Sequence, residues 1–189
     1  MPLDSELSLF NAPAARSGGG VYPPSVDVAR AARLSEDGRY RYVLGRRWGD
    51  GLPATFVMLN PSTADAELDD PTIRRCVGFA RTIGADGIHV LNLYAFRATK
   101  PEDLWKADDP VGPENDEYLA RHAAAAARQC RPIIAAWGAN ARPARVAQVL
   151  ALPGMRTALH AFGVTKHGQP RHPLYLPASA RPQPWEGRP

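Results

Sequence analysis

The chain has 189 residues, enough for one well-cored domain, and its hydrophobic content of 44% is typical of a globular protein. The formal net charge of +4 is compatible with a polyanionic partner, although a solvated charged face explains each local cluster of basic residues equally simply. The two cysteines form no Cys-x-x-Cys pair, which argues against a zinc ribbon or an iron–sulfur cluster, and no apolar run approaches the ~20 residues of a membrane span.

The N-terminal third of the chain is read as an arm followed by strands. Residues 1–25 are poorly patterned and rich in glycine and proline, which predicts a flexible arm. Residues 26–34 suit either a short helix or an edge strand. Residues 40–48 alternate and are rich in aromatic side chains, which predicts a strand. A glycine-rich turn then leads to a strand at residues 55–59, so we expect the two strands to pair as a hairpin.

A polar turn follows the apolar strand at residues 55–59. An unbroken apolar run suits a strand covered on both faces, and open α/β sheets bind ligands at the carboxyl ends of such strands. Pro61 pushes Asn60 away from helical angles, so we expect the Asn60 amide to face a crevice, with Ser62 beside it. The alternative is an Asx-turn that caps the next helix.

The rest of the chain alternates between helices and strands. Helix signals follow Asp69 and Asp70 and recur at residues 101–105, 115–129 and 144–152, whereas strand signals occur at residues 88–93, 132–138 and 157–162. This alternation predicts an α/β domain over residues 26–177: three α/β/α layers around a central, mostly parallel four-stranded sheet, to which an N-terminal hairpin strand could be added. The proline-rich tail, residues 178–189, is not expected to be regular.

Three kinds of site find little support in the sequence. Ser62 with His172 and Asp65 would supply a serine nucleophile, but no Gly-x-Ser-x-Gly turn accompanies them. The acids Asp65, Asp69 and Asp70 with His172 could ligate a metal, yet they are better explained as turn and cap residues. No dinucleotide or phosphate-loop pattern follows a strand, so we expect no metal and no cofactor.

Polar side chains at three strand exits are expected to meet at one sheet edge. They are Asn60, then Asn92 with Arg97, then Asn140, and the loop carrying His172 could close over them. Carboxamides can read the edge of a nucleobase or hold a water molecule, and a histidine can stabilise a departing anion. The inventory suits cleavage of an N-glycosidic bond. Structural roles are the alternative, since Asn92 could bond loop backbone and His172 could cap a turn.

Several longer motifs resemble a family known as domain of unknown function 1643. They lie at residues 69–75, 92–99, 109–116, 135–138 and 165–176. The resemblance spans about residues 40–177. It implies no established activity.

A more distant resemblance is to the uracil-DNA glycosylase superfamily. Residues 58–62 resemble its Gly-Met-Asn-Pro-Gly motif, Asn92 falls where those enzymes carry a base-reading Asn, and residues 172–174 resemble a His-Pro-Ser-Pro-Leu loop. The resemblance implies that Asn60 positions water, that Asn92 reads the base and that His172 supports the leaving base. Leu174 or Tyr175 would be the wedge that helps to flip a base out of the duplex.

This sequence departs from that pattern at two glycines and at the stacking position. Met58 and Ser62 replace the glycines, which narrows the backbone approach to a ligand. No aromatic residue follows Asn60 closely, so a stacking platform would have to come from Tyr94, Phe96 or Trp137.

The sequence therefore predicts a nucleobase-directed hydrolase of the glycosylase type, acting on DNA or a nucleotide in the cytoplasm, without a membrane partner. The alternatives are a non-catalytic nucleic-acid or nucleotide-binding module, and a hydrolase or transferase of small nucleosides. The predicted catalytic residues are Asn60 and His172. The predicted substrate-binding residues are Pro61, Ser62, Asn92, Arg97, Trp137, Lys166, Arg171, Leu174 and Tyr175.

Overall fold

The chain folds into a mixed α/β structure around one sheet. The computed structural model describes residues 28–62 and 69–187. These residues form seven strands: β1 (Ala29–Leu34), β2 (Arg41–Arg47), β3 (Pro53–Met58), β4 (Gly87–Asn92), β5 (Ile133–Ala135), β6 (Leu159–Ala161) and β7 (Gln183–Pro184). They also form four helices: α1 (Pro71–Thr82), α2 (Pro101–Lys106), α3 (Asn115–Arg128) and α4 (Pro143–Leu150). Two 3₁₀ turns lie at Met155–Ala158 and Pro173–Tyr175.

The middle of the sheet is parallel. The strand order is β1-β2-β4-β3-β5-β6-β7, in which β4, β3, β5 and β6 run parallel, whereas β1, β2 and β7 are antiparallel to their neighbours. The α/β class predicted from the sequence is confirmed, and the sheet in the described residues is larger than the four strands expected. Because parallel strands end at the same edge, the loops after β3, β5 and β6 come together there.

The predicted hairpin between residues 40–48 and 55–59 is wrong. β2 pairs with β1 on one side and with β4 on the other. The turn after β2 is tied to the start of β4 because the backbone carbonyl of Asp86 accepts from Trp48 and its carboxylate accepts from the Gly51 N–H at 2.7 Å. A Cβ at Gly51 would lie 2.5 Å from that carboxylate, so a larger residue there would have to displace the Asp86 side chain. β3 consequently enters the sheet on the far side of β4.

The ends of the domain also differ from expectation. Of the two alternatives for residues 26–34, the described part forms the edge strand β1. The predicted arm, residues 1–25, lies outside the described residues. The expectation of an irregular tail is wrong at β7, which pairs with β6, and the following Trp185 donates its backbone N–H to Leu159 at 3.0 Å. Backbone pairing with an open sheet edge needs no hydrophobic pattern, which is why composition did not reveal it.

Helices cover both faces of the sheet. α1 begins where the sequence predicts, because the carboxylate of Asp70 accepts from the Ile73 N–H at 2.8 Å and Pro71 occupies the first turn. Its buried side chains, including Ile73 and Phe79, pack on one face of β3 and β4. The other face packs against α3 and α4. The carboxyl-terminal edge of the parallel strands lies between the two helical layers. The loops at this edge form the candidate site.

Candidate functional site

A pocket of about 620 Å³ lies at the carboxyl ends of β3 and β5. Segments from four parts of the chain line it: the exit of β3, the loop after β4, the exit of β5 and the loop after β6. This volume is in the range of small-molecule sites. The lining residues are Met58, Leu59, Asn60, Thr99, Trp137, Gly138, Ala139, Asn140, Thr165, Arg171, His172 and Tyr175.

Asn60 is half-buried at the end of β3, and its amide orientation is fixed by the backbone. The amide nitrogen Nδ2 donates to the carbonyl oxygens of Pro61 at 3.0 Å and of Ala98 at 2.8 Å. Since only the nitrogen end of an amide can donate to two carbonyls, these bonds assign Oδ1 to the other side of the group. Oδ1 is therefore the amide atom that remains to accept a hydrogen bond from water or from a ligand N–H in the pocket.

His172 precedes the 3₁₀ turn Pro173–Tyr175 and is half-buried. Its Nδ1 accepts from the Leu174 N–H at 3.4 Å, so the proton of the neutral ring resides on Nε2. Burial lowers the pKa of His172, and the nearby Asp70 carboxylate opposes this only in part. At neutral pH the ring is a neutral Nε2–H donor, which can stabilise negative charge that develops on a ligand.

Trp137 and Gly138 carry the exit of β5 into the pocket wall. The indole of Trp137 is buried, donates to the Gln169 side chain at 3.1 Å, and meets the Trp185 ring edge-on at 5.3 Å. Gly138 adopts a φ of 76° and donates its N–H to Pro170 at 2.9 Å, which brings the backbone of the His172 loop against β5. The wall thus combines a rigid aromatic ring with a loop fastened by backbone bonds.

The rim of the pocket is basic and aromatic. Arg171 is exposed and donates to the carbonyl of Tyr175 at 2.8 Å, and the Tyr175 ring is 72% exposed. Arg75 of α1 holds the same 3₁₀ turn, because its guanidinium donates to the carbonyls of Pro173 and Leu176. No sequence signal marks Arg75 for this role, since nothing in the helical pattern shows what an arginine off the apolar face will contact.

The structure brings together five of the predicted site residues. They are Asn60, Trp137, Arg171, His172 and Tyr175. Asn140, which the sequence placed at this edge of the sheet, joins them in the lining, together with Met58, Leu59, Thr99 and Thr165, to which the sequence assigned no ligand-binding role. These residues lie in loops that follow different strands, and no local sequence pattern shows that the loops meet.

The other predicted residues are not among those that line this pocket. Pro61 is buried, Ser62 donates its hydroxyl to Asp70 at 3.1 Å, and Arg97 donates to the Gly38 carbonyl at 3.0 Å. Lys166 and Leu174 are exposed beside the pocket. We expected Asn92 to bring a second amide next to Asn60 and His172, but Asn92 is not among the residues that line the pocket.

Asn92 lies at the end of β4 and is 1% exposed. Its backbone carbonyl accepts from the Asn115 side chain at 3.0 Å, and Arg145 donates to the carbonyl of the next residue, Leu93, at 2.8 Å. Asp116 pairs in turn with the Arg145 guanidinium. The exit of β4 is thus held by polar groups of α3 and α4, and the Asn92 side chain faces the protein interior.

Other site types receive no support from the described residues. Within residues 28–62 and 69–187 no group of three or more His, Cys, Asp or Glu side chains is placed to hold a metal ion. Asp65, which was weighed as a metal ligand and as a triad acid, lies outside those ranges. No helix in the described ranges is both long enough and apolar enough to cross a membrane.

Comparison with known proteins gives one match. The family described as Protein of unknown function (DUF1643) matches residues 41–174, which is more than half of the chain and includes most of the pocket. No curated protein and no solved structure matches the chain.

Proposed function

We propose that this chain, which belongs to the DUF1643 family, is a nucleobase-directed hydrolase of the N-glycosylase type. One observation carries the proposal: a single pocket holds the acceptor end of the Asn60 amide and the neutral imidazole of His172 beside the aromatic wall of Trp137. The acceptor suits the attacking water and the donor suits the leaving base, which are the two partners of the reaction.

The chemistry assigns one group to each end of the breaking bond. Water attacks the sugar carbon C1′ while it donates a hydrogen bond to Asn60 Oδ1. The C1′–N bond breaks, and its electron pair leaves with the base, whose carbonyl oxygen receives the Nε2–H bond of His172. A neutral donor suits this role because it stabilises the anion without having to transfer its proton. The proton released by the water passes to solvent.

The architecture adds weaker support for the glycosylase type. The parallel strands β4, β3, β5 and β6 carry the Asn60 turn after β3 and the His172 loop after β6, and the likeness to the uracil-DNA glycosylase superfamily remains part of this proposal. Fold likeness alone carries no activity. Arg171 and Tyr175 at the rim would meet the sugar–phosphate part of a nucleic acid or nucleotide.

A second candidate, a nucleotide-binding module without turnover, is favoured by the composition of the pocket. Among the residues that the structure describes, its lining includes no carboxylate that could take a proton from water. A hydrolase built this way depends on positioning and on stabilisation of the leaving base alone. The same side chains would bind a base without releasing it.

Measurement of base release separates the two candidates. Oligonucleotides and nucleoside 5′-monophosphates carrying uracil, hypoxanthine or alkylated bases are incubated with the protein, and the free base is quantified by chromatography. We expect release by the wild type and a loss of at least about tenfold in Asn60→Ala and in His172→Gln. His167→Gln is the matched control, since it changes an exposed histidine of the same loop that does not line the pocket, and it should retain release.

Binding without release from any of these substrates would support the module and exclude the hydrolase. Release that survives both Asn60→Ala and His172→Gln would remove the assignment of roles.

A further inference from the structure

Arg41, the first residue of β2, is a buried cation. Only 5% of its surface is exposed, and its Nε is fully enclosed and has no acceptor among the described residues. Burial, reinforced by the nearby Arg97, lowers the pKa of Arg41 to about 10, so it remains protonated at neutral pH. Because a charged arginine in the interior is costly for the fold unless an acceptor meets it, the unsatisfied Nε is available to donate to an anion.

Asn92 presents a second enclosed donor on the same face of the sheet. Leu44 of β2 pairs with Val90 of β4, and both belong to the core beneath α1. Asn92 lies two residues beyond Val90 on the strand, so its side chain projects to that same face. Its Nδ2 is buried and has no acceptor in the described part of the chain.

A bulge in β2 turns Arg41 toward that face. Leu34 pairs with Arg41 while Arg33 pairs with Val43, so Tyr42 is an extra residue on β2. Tyr42 and Val43 both pack in the core on the opposite side, and Arg41 then returns to the α1 side. The influence of the Asp70 carboxylate, at the start of α1, on the pKa of Arg41 agrees with this placement.

Asp70, the acidic residue that acts on the pKa of Arg41, already accepts other hydrogen bonds, and the adjacent Asp69 pairs with a different arginine. Asp69 accepts from Arg46 at 2.8 Å. Asp70 accepts from Ser62 at 3.1 Å and from the Ile73 N–H at 2.8 Å. Asp70 therefore serves other donors, and no hydrogen bond joins it to Arg41 among the described residues.

We propose that Arg41 and Asn92 form a buried oxyanion site that holds the phosphate group of a nucleotide whose base occupies the His172 pocket. Met58, which lines the pocket, pairs directly with Asn92. Neighbouring strands are ~4.8 Å apart, so β2 lies about 10 Å from β3, the length scale of one nucleotide. A guanidinium supplies two parallel N–H groups to a phosphate, and the amide adds a third donor. The phosphate site stands on Arg41 and Asn92 alone, whereas its assignment to a nucleotide rests on the proposed function.

Inorganic phosphate tests the site itself. Sodium phosphate is titrated against the full chain at constant ionic strength set with sodium chloride, and affinity and melting temperature are recorded. We expect saturable stabilisation of the wild type and a loss of affinity of at least about tenfold in Arg41→Met, with Arg41→Lys intermediate. Arg33→Gln, an exposed arginine on the neighbouring strand β1, is the control and should bind phosphate as the wild type does.

The ligand-free melting temperature separates a ligand site from a structural role. If Arg41 lacks a partner, Arg41→Met removes an unpaired buried charge, and its melting temperature without phosphate should equal or exceed that of the wild type. A large decrease would assign Arg41 to the fold and overturn the proposal. Absence of phosphate stabilisation in the wild type, or full stabilisation in Arg41→Met, would also overturn it.

Competition identifies the source of the phosphate. Nucleoside 5′-monophosphates should displace inorganic phosphate and bind at least about tenfold more tightly than the corresponding nucleosides. Equal affinity of nucleosides and monophosphates would overturn the assignment to a nucleotide. Phosphate binding that depends on Arg41 in a protein that releases no base would refute the proposed hydrolase and leave the phosphate site in place.

Discussion

The side chain of Asn60 has both a structural role and a proposed chemical role. Its amide nitrogen bonds the carbonyls of Pro61 and Ala98, so the residue ties the turn after β3 to the loop after β4. Only the oxygen end remains for a ligand. The same geometry that makes Asn60 a fixed acceptor also makes it part of the fold, and the two roles can be measured separately.

We expect Asn60→Ala to lower the free energy of unfolding by about 1–3 kcal/mol, because two partly buried hydrogen bonds are lost. Urea denaturation of wild type and variant measures the difference. Asn140→Ala is the matched control: Asn140 is an exposed amide in the same pocket, and its removal should change stability by less than about 0.5 kcal/mol. Equal stabilities of Asn60→Ala and the wild type would contradict the amide orientation described above.

At the scale of elements, α1 supports the loop that carries His172. Arg75 donates to the carbonyls of Pro173 and Leu176 while its guanidinium lies 4.8 Å from the Phe79 ring centroid. The contact spans about a hundred residues of sequence. Among the described residues, the other hydrogen bonds of the 3₁₀ turn are short-range, such as that from the Tyr175 N–H to the His172 carbonyl. The position of His172 therefore depends on a helix outside the pocket lining.

We expect Arg75→Met to loosen this turn without unfolding the domain, because the methionine keeps the packing on Phe79 and loses only the carbonyl contacts. Amide hydrogen exchange should accelerate at Tyr175 and Leu176, with exchange in β3 and β4 unchanged. Arg81→Met serves as the control, since Arg81 lies on the same helix over the Trp48 ring, away from the turn. Unchanged exchange at Tyr175 in Arg75→Met would show that the turn is held by its own bonds.

The sequence predicts elements well where a periodic pattern or a cap marks them. α1 begins at Asp70 and Pro71 as its capping pattern indicates, and the alanine-rich stretch forms α3. Pairings between elements are harder, because the Asp86 contacts that move β3 away from β2 and the backbone pairing of β7 leave no local pattern. The candidate site divides in the same way: motifs singled out Asn60 and His172, whereas the support from Arg75 is visible only in three dimensions.

At the scale of the whole molecule, the two faces of the sheet differ in how they hold ionisable groups. The α1 face contains the charged groups Arg41, Arg46 and Asp69. The opposite face contains His89 of β4 and His122 of α3, whose rings meet edge-on at 4.8 Å. Burial, with their mutual repulsion as a further cause for His89, lowers the pKa of His89 to about 3 and that of His122 to about 4. Both rings are neutral in the folded protein near pH 7.

This pair should make the fold sensitive to mild acid. In the unfolded chain both histidines bind protons below about pH 6.5, whereas the folded protein resists protonation until about pH 4 and about pH 3. The unfolded state therefore binds more protons in that window, and the free energy of unfolding falls as the pH falls. Each histidine contributes a slope of up to about 1.4 kcal/mol per pH unit.

We expect His122→Leu to reduce the slope of unfolding free energy against pH, measured by urea denaturation between pH 6.5 and pH 4.5, by about the contribution of one histidine. Leucine suits the site because His122 is 6% exposed and its neighbours in α3 pack in the apolar core. His167→Gln removes an exposed histidine and should leave the slope unchanged. Carboxylates contribute equally to both variants, so the difference between them isolates the buried ring. Identical slopes in His122→Leu and the wild type would mean that His122 is already protonated in the folded protein and that the two rings do not share an apolar site.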